Sequence, residues 1–105
     1  MDDRQKAFEG KYAYDQEMLF RLEARACKLF GLWIAEQMSL PEDEAKIFAG
    51  SVVSSNLDEP GFEDVKRTVN AALAEKDIEI SEHTLDIKLE HYLEEARQQI
   101  VNEQK

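Results

Sequence analysis

The feature that most constrains the fold is a spacing of apolar residues at steps of three and four, repeated along most of the chain. In residues 16–38 these positions are Met18, Leu22, Ala26, Leu29 and Trp33. Such steps place side chains on one face of an α-helix, because the helix makes about 3.6 residues per turn. We therefore expect a long amphipathic first helix here, with Asp15 as its N-cap candidate.

Three further stretches repeat this spacing. Their apolar positions are Ala45, Phe48, Ala49 and Val52 at about 40–55; Phe62, Val65, Val69, Ala72 and Leu73 at about 61–75; and Leu85, Leu89, Tyr92, Leu93, Ala96 and Ile100 towards the end. Four amphipathic helices with short links predict an all-α fold, a small four-helix bundle over residues 15–105. Residues 1–14 are predicted to form a separate N-terminal segment.

Two serines mark predicted helix starts. Ser39 and Glu42, three residues apart, fit a capping box at the start of the second helix. Ser81 is the N-cap candidate for the fourth helix. The links between the helices are therefore expected to be short.

The N-terminal segment has a different character. Phe8 and Tyr12 lie four residues apart and would share one face of a helix, but Gly10 between them costs about 1 kcal/mol relative to Ala in a helix interior. Two interpretations remain open. The segment either extends the first helix and packs on the bundle, or it stays loose until it folds as a helix in a partner's groove.

Charge narrows the classes of partner. The net charge of −10 repels nucleic acid and anionic membrane surfaces, so neither is an expected partner. Residues 1–14 alone are neutral, with three acids and three bases. The single Cys27 allows no internal disulfide, and no apolar run approaches the roughly 20 residues of a membrane span. These observations predict a cytoplasmic protein without membrane insertion.

The sequence offers little for catalysis. His83 and His91 would lie about 12 Å apart along a helix, too far to share one metal ion. Cys27 lies between apolar neighbours and is interpreted as core filler. There is no glycine-rich phosphate loop and no G-x-S-x-G motif. We expect no enzyme activity, no metal and no cofactor.

A series of short motifs points to a family. They are Asp2-Asp-Arg4, Ala7-Phe-Glu9, Lys11-Tyr-Ala13, Glu23-Ala-Arg25 and Gly31-Leu-Trp33, followed later by Glu59-Pro-Gly61, Glu63-Asp-Val65 and Ser81-Glu-His83. In their order and spacing the chain resembles the zeta subunit family, the ATPase inhibitor of alphaproteobacterial F-type ATP synthases. The resemblance extends over nearly the whole chain.

The resemblance implies a regulatory inhibitor whose mobile N-terminal segment enters the F1 sector as a helix. The implied site is the interface between a catalytic and a non-catalytic subunit, near the central stalk, where the segment blocks rotation in the hydrolytic direction. The residues implied to touch F1 are Asp3, Arg4, Phe8, Lys11, Tyr12 and Asp15, continuing into Met18 and Leu19.

The expected free state is a monomer in the cytoplasm, and the bound state is peripheral to the inner membrane. Two other functions remain open. One is a helical bundle that senses a small ligand or nucleotide, and the other is an ATP synthase accessory protein that does not inhibit.

Overall fold

The computed structural model describes residues 16–58 and 62–103, and these ranges form four α-helices without a strand. The helices are α1 (Gln16–Gln37), α2 (Glu42–Asp58), α3 (Glu63–Glu75) and α4 (Glu82–Glu103). The predicted all-α four-helix bundle is confirmed. The N-terminal segment and the Asp15 cap lie outside the described residues.

Helix α1 is at the centre of the packing. It contacts both α2 and α4, and α2 in turn contacts α3. Near the start of α1, Glu23 accepts a hydrogen bond of 3.1 Å from Asn56 at the end of α2, and Arg25 pairs with Glu103 at the end of α4. Helices α2 and α4 therefore both run antiparallel to α1.

One buried cluster joins all four helices. Its members are Cys27, Phe30, Ile34, Met38, Val52, Val65, Val69, Leu73, Leu85 and Leu89. Fully burying a side chain of this kind stabilises a fold by about 1.5–3 kcal/mol, so this cluster is the main stabilising feature of the bundle. It confirms the predicted apolar stripes of α3 and α4. In the predicted stripe of α2, Ala49 and Val52 are buried, whereas Ala45 and Phe48 are half-buried.

The predicted buried face of α1 was partly wrong. Leu22, Leu29 and Trp33 are only half-buried. The buried side chains of α1 are Ala26, Cys27, Phe30, Ile34, Ala35 and Met38. Because α1 packs mainly against α2 and α4, its buried face lies between them and is turned away from the stripe that we predicted. Leu29 and Trp33 instead lie at the edge of a groove that also includes Tyr92.

Helices α1 and α2 approach each other closely at Gly31. A Cβ atom at this position would lie 2.9 Å from the Cα atom of Ala49 and 3.3 Å from the Cβ atom of Val52. The first distance is shorter than real Cβ contacts, and the atom that it would meet belongs to the backbone. Glycine is therefore required here by the separation of the two helices.

The capping box predicted from Ser39 and Glu42 is wrong. Ser39 has a φ of 57°, in the left-handed region, and the N–H groups of Ser39 and Leu40 bond to carbonyls in the last turn of α1. This is a Schellman motif, which ends a helix. The first bond of α2 runs from the N–H of Ala45 to the carbonyl of Pro41, at 2.8 Å, so Pro41 is the N-cap.

The link between α3 and α4 uses the same kind of helix end. Asp77 has a φ of 57°, and the N–H of Ile78 bonds back to the carbonyl of Leu73 at 2.9 Å. At the start of α4 the hydroxyl of Ser81 accepts a bond of 3.1 Å from the N–H of Thr84. The predicted Ser81 cap is therefore confirmed.

Candidate partner-binding surface

The first turns of α1 expose apolar side chains. Leu19 is 43% exposed and Phe20 is 54% exposed, while Met18 is half-buried. Two of the predicted contact residues, Met18 and Leu19, therefore lie together in an accessible position. The other predicted contact residues lie outside the described part of the chain; they are Asp3, Arg4, Phe8, Lys11, Tyr12 and Asp15.

This exposure follows from where the neighbouring helices end. Asn56, which bonds to Glu23, lies two residues before the end of α2, and Glu103, which pairs with Arg25, is the last residue of α4. The turns of α1 that precede Glu23 therefore lie at the edge of the bundle. We call Met18, Leu19 and Phe20 the apolar tip.

Three bases follow the tip along α1. Arg21, Arg25 and Lys28 are spaced by four and three residues, which places them on one helix face, and we call them the basic stripe. The guanidinium of Arg21 lies 3.1 Å from the carboxylate of Glu17. Arg21 and Arg25 are thus each paired with a carboxylate, and Lys28 is the base of the stripe that makes no ion pair among the described residues.

The basic stripe borders a groove between α1, α2 and α4. Phe20, Ala24, Val53 and Ile100 supply its apolar side chains, and the stripe and Glu103 supply its charged rim. We call it the stripe groove. An apolar floor beside a charged rim fits an amphipathic segment that carries rings and carboxylates.

The Arg25–Glu103 pair fastens the end of α4 to this groove. Arg25 also donates a hydrogen bond of 3.5 Å to the side-chain carbonyl of Gln99. The hydrogen bond from Arg25 is the main cause that lowers the pKa of Glu103 below its usual value. The carboxylate therefore stays charged, and stays paired, at neutral pH.

A second groove lies towards the other end of α1. It is lined by Leu29, Leu32, Trp33, Glu36, Leu40, Ala45 and Tyr92, and we call it the Trp33 groove. The ammonium of Lys88 lies 5.1 Å from the centre of the Trp33 ring, within the range of a cation–π contact. Partial burial, followed by the charges of Glu95 and Glu36, raises the pKa of Tyr92. Its phenol is therefore neutral at physiological pH.

Cys27 is confirmed as core filler. Its side chain is fully buried, and burial, assisted by the nearby charge of Glu23, raises the pKa of its thiol to about 12. A thiol with such a pKa is protonated at neutral pH, and the thiolate is the reactive form. Cys27 is therefore unsuited to nucleophilic chemistry.

The histidines lie on the surface of α4. His83 and His91 are exposed, and the Nε2 atom of His91 lies 3.4 Å from the carboxylate of Glu95. Within residues 16–58 and 62–103, no three metal-binding side chains are grouped closely enough to hold an ion. No helix in these ranges is long and apolar enough to cross a membrane.

Sequence reasoning missed part of this surface. Phe20 and the basic stripe were not predicted as site residues, although the spacing of three bases in an acidic chain was a usable signal. The apolar floor of the stripe groove could not be predicted from the sequence. Val53 and Ile100 come from different helices, and only the folded packing brings them beside Ala24.

Comparison with known proteins gave one family. A family model described as ATPase inhibitor subunit zeta matches residues 1–99, which include the N-terminal segment and most of the bundle. No curated protein matches the chain, and no solved structure matches it.

Proposed function

The chain belongs to the ATPase inhibitor subunit zeta family, and from this premise we propose that it inhibits ATP hydrolysis by the F1 sector of ATP synthase through its N-terminal segment. Residues 1–14 enter, as a helix, the interface between a catalytic and a non-catalytic subunit beside the central stalk. There they block rotation in the hydrolytic direction. The bundle, residues 15–105, stays outside as a handle. The observation that carries the proposal is the family match, which includes the whole segment.

The proposed contact residues are Asp3, Arg4, Phe8, Lys11, Tyr12, Asp15, Met18 and Leu19. Phe8 and Tyr12 act as the anchors, because large rings bury much apolar area and lose few rotamers on binding. Arg4 and Lys11 pair with acidic groups of F1. The neutral segment enters a cleft that the acidic bundle cannot enter.

Helical geometry supports this contact set. If the segment continues α1 as one helix, seven of the eight residues fall within an arc of about 120°, at 100° per residue. Asp3 is the exception, and Gly10 falls on the opposite side. The same arc ends at Met18 and Leu19 in the apolar tip, where Leu19 is 43% exposed. The tip would therefore extend the anchor face into the described part of the chain.

The proposal is tested by measuring ATP hydrolysis by the cognate F1 with the double variant Phe8→Ala/Tyr12→Ala. Loss of two aromatic anchors is expected to raise the half-inhibiting concentration at least about 100-fold. The matched control is Ile47→Ala/Ile87→Ala, which removes two apolar side chains that are 73% and 51% exposed on α2 and α4. This control is expected to inhibit like the unchanged chain.

Both double variants are expected to melt nearly like the unchanged protein, because the proposal places the anchors outside the core. A melting temperature lowered by more than about 5 °C in Phe8→Ala/Tyr12→Ala would show that the rings belong to the core of the bundle instead. Undiminished hydrolysis with the unchanged chain would leave an accessory role without inhibition.

A further inference from the structure

The stripe groove is an amphipathic surface with an incomplete cover. Ala24 and Val53 are half-buried on its floor, and Phe20 leaves 54% of its surface exposed at the mouth. An occupant that covers the Phe20 ring and the floor would gain apolar contact. On the rim, Lys28 is exposed and makes no ion pair among the described residues, so it favours an occupant with a carboxylate beside its apolar groups.

The N-terminal segment is the occupant best placed to reach this groove. The described chain begins at Gln16, only four residues before Phe20. From Phe20 to Lys28 the groove runs about 12 Å along α1, at about 1.5 Å per residue. An extended chain covers about 3.3–3.6 Å per residue, so a segment that turns back at Gln16 passes the groove within a few residues.

The chemistry of the segment also matches the groove. Phe8 supplies a ring for the apolar floor, and Glu9 supplies the adjacent carboxylate for the basic stripe. Tyr12 can accept a cation–π contact from a base of the stripe. Because the segment is tethered, its effective concentration at the groove reaches the millimolar range, so weak contacts suffice.

The Trp33 groove is a poorer fit for the segment. Its nearest α1 residue, Leu29, lies about 20 Å from Gln16 along the helix. Its charged lining residue is an acid, Glu36, and the nearby Lys88 already lies over the Trp33 ring. The stripe groove is nearer, and Lys28 on its rim offers the complementary charge.

We propose that in the free protein residues 1–15 fold back along α1 and dock in the stripe groove, with Phe8 on its floor and Glu9 towards Lys28. This self-docking concerns the free chain. Only its effect on the affinity for F1 rests on the proposed function. The anchors Phe8 and Tyr12 serve either the groove or F1, so docking weakens the apparent affinity for F1. A segment docked about half of the time weakens that affinity about twofold.

The test is a spin label on the free, full-length chain. The fully buried Cys27, with a thiol pKa of about 12, does not react near neutral pH, so Gln5→Cys gives a single labelled position. Amide signals at Ala24, Lys28 and Val53 are measured by NMR. Self-docking predicts that their broadening falls at least about twofold when Phe8→Ser and Tyr12→Ser are added to the labelled chain, because the tether is kept and the rings are lost.

Equal broadening in the two labelled chains would overturn the proposal, as would broadening centred on the Trp33 groove. A label at the exposed Glu79, introduced as Glu79→Cys, serves as the control because it lies in the link between α3 and α4. Its broadening pattern is expected to be the same with and without Phe8 and Tyr12.

A charge reversal tests the basic stripe. Lys28→Glu is expected to reduce the broadening about twofold and to strengthen inhibition of F1 about 1.5-fold, because more of the segment is released. The matched control is Lys46→Glu on α2, which makes the same change of charge at an exposed lysine. If the two variants behave alike, the stripe does not hold the segment.

The two proposals fail separately. The NMR measurements contain no F1, so their failure removes self-docking and leaves inhibition untouched. If Phe8→Ala/Tyr12→Ala inhibits hydrolysis as well as the unchanged chain does, the two rings are not the anchors in F1. That result leaves self-docking untouched.

Discussion

The two halves of α1 serve different purposes within one continuous helix. The second half supplies Phe30, Ile34 and Met38 to the buried cluster that all four helices share. The first half carries the apolar tip and the first two bases of the basic stripe on its surface. The buried core residues and the exposed apolar and basic residues are therefore separated along one helix rather than assigned to different elements. Substitutions in the two halves should therefore have separable effects.

The largest expected effect compares two phenylalanines of α1. Phe30 is fully buried and Phe20 is 54% exposed. Phe30→Ala is expected to lower the free energy of unfolding by about 3–5 kcal/mol, since it opens a cavity in the core. Phe20→Ala is expected to cost less than about 1 kcal/mol. Urea unfolding of both variants measures the difference, and equal losses would mean that the two halves do not differ.

The next effect is a dependence of the free energy of unfolding on pH, which arises from Cys27. Its pKa is raised from 9.0 to about 12 in the folded state, because burial disfavours the thiolate. Below pH 9.0, the pKa of the thiol in the unfolded chain, the thiol is protonated in both states and does not reduce the stability. As the pH rises above 9.0, only the unfolded chain loses the proton, and the fold loses stability. Above that value the free energy of unfolding should fall by up to about 1.4 kcal/mol per pH unit from this group alone.

The matched measurement is urea unfolding of Cys27→Ala between pH 8 and about 10.5, where the slope from the thiol should be absent. The lysines and tyrosines titrate alike in both chains, so they cancel in the comparison. Parallel pH profiles for the two chains would show that Cys27 is not shielded by the core.

A smaller effect is expected at the contact between α1 and α2. Gly31→Ala places a Cβ atom 2.9 Å from the Cα atom of Ala49, so the two helices must separate. The gain in helix propensity of about 1 kcal/mol offsets part of the strain. We expect a net loss of about 1–2 kcal/mol in thermal or urea unfolding.

Gly50→Ala is the control for this contact. No atom of another element lies within 4 Å of the position where its Cβ would be. At this position the substitution changes only the helix propensity, which favours Ala over Gly, so this variant should gain stability by up to about 1 kcal/mol. Stabilisation by both substitutions would show that the helices are not in close contact at Gly31.

The smallest effect is expected at the end of α1. Ser39 has a φ of 57°, which costs a non-glycine residue about 1–2 kcal/mol, whereas glycine adopts this conformation freely. Because glycine also loses more backbone entropy on folding, we expect Ser39→Gly to stabilise the bundle by at most about 1 kcal/mol. A destabilisation measured by thermal unfolding would instead favour a capping role for the Ser39 hydroxyl.

The sequence predicted the stripes of α3 and α4 because each of these helices has one clear apolar face. Val65 and Val69 in α3, and Leu85 and Leu89 in α4, are all buried. The face of α1 was harder to choose. Apolar residues occur around much of its circumference, so several stripes fit the same periodicity. Only the positions of α2 and α4 decide which stripe is buried.

Local motifs were ambiguous for a similar reason. A serine followed three residues later by Glu fits a capping box, but Ser39 lies at the end of α1 instead of the start of α2. Ser81, which is followed three residues later by Thr84 and not by Glu, is a true N-cap. The side chain alone does not distinguish the two helix ends. The stripe groove was unpredictable, because it joins Ala24 to Val53 and Ile100 across long sequence separations.

The central claim is that the N-terminal segment inhibits while the bundle only supports it. The most direct test measures ATP hydrolysis by the cognate F1 in the presence of the full chain or a chain that lacks residues 1–14. Thermal melting of both chains serves as the check on folding. We predict that the full chain inhibits, and that the shortened chain melts at nearly the same temperature without inhibiting. Equal inhibition by the two chains would contradict the account.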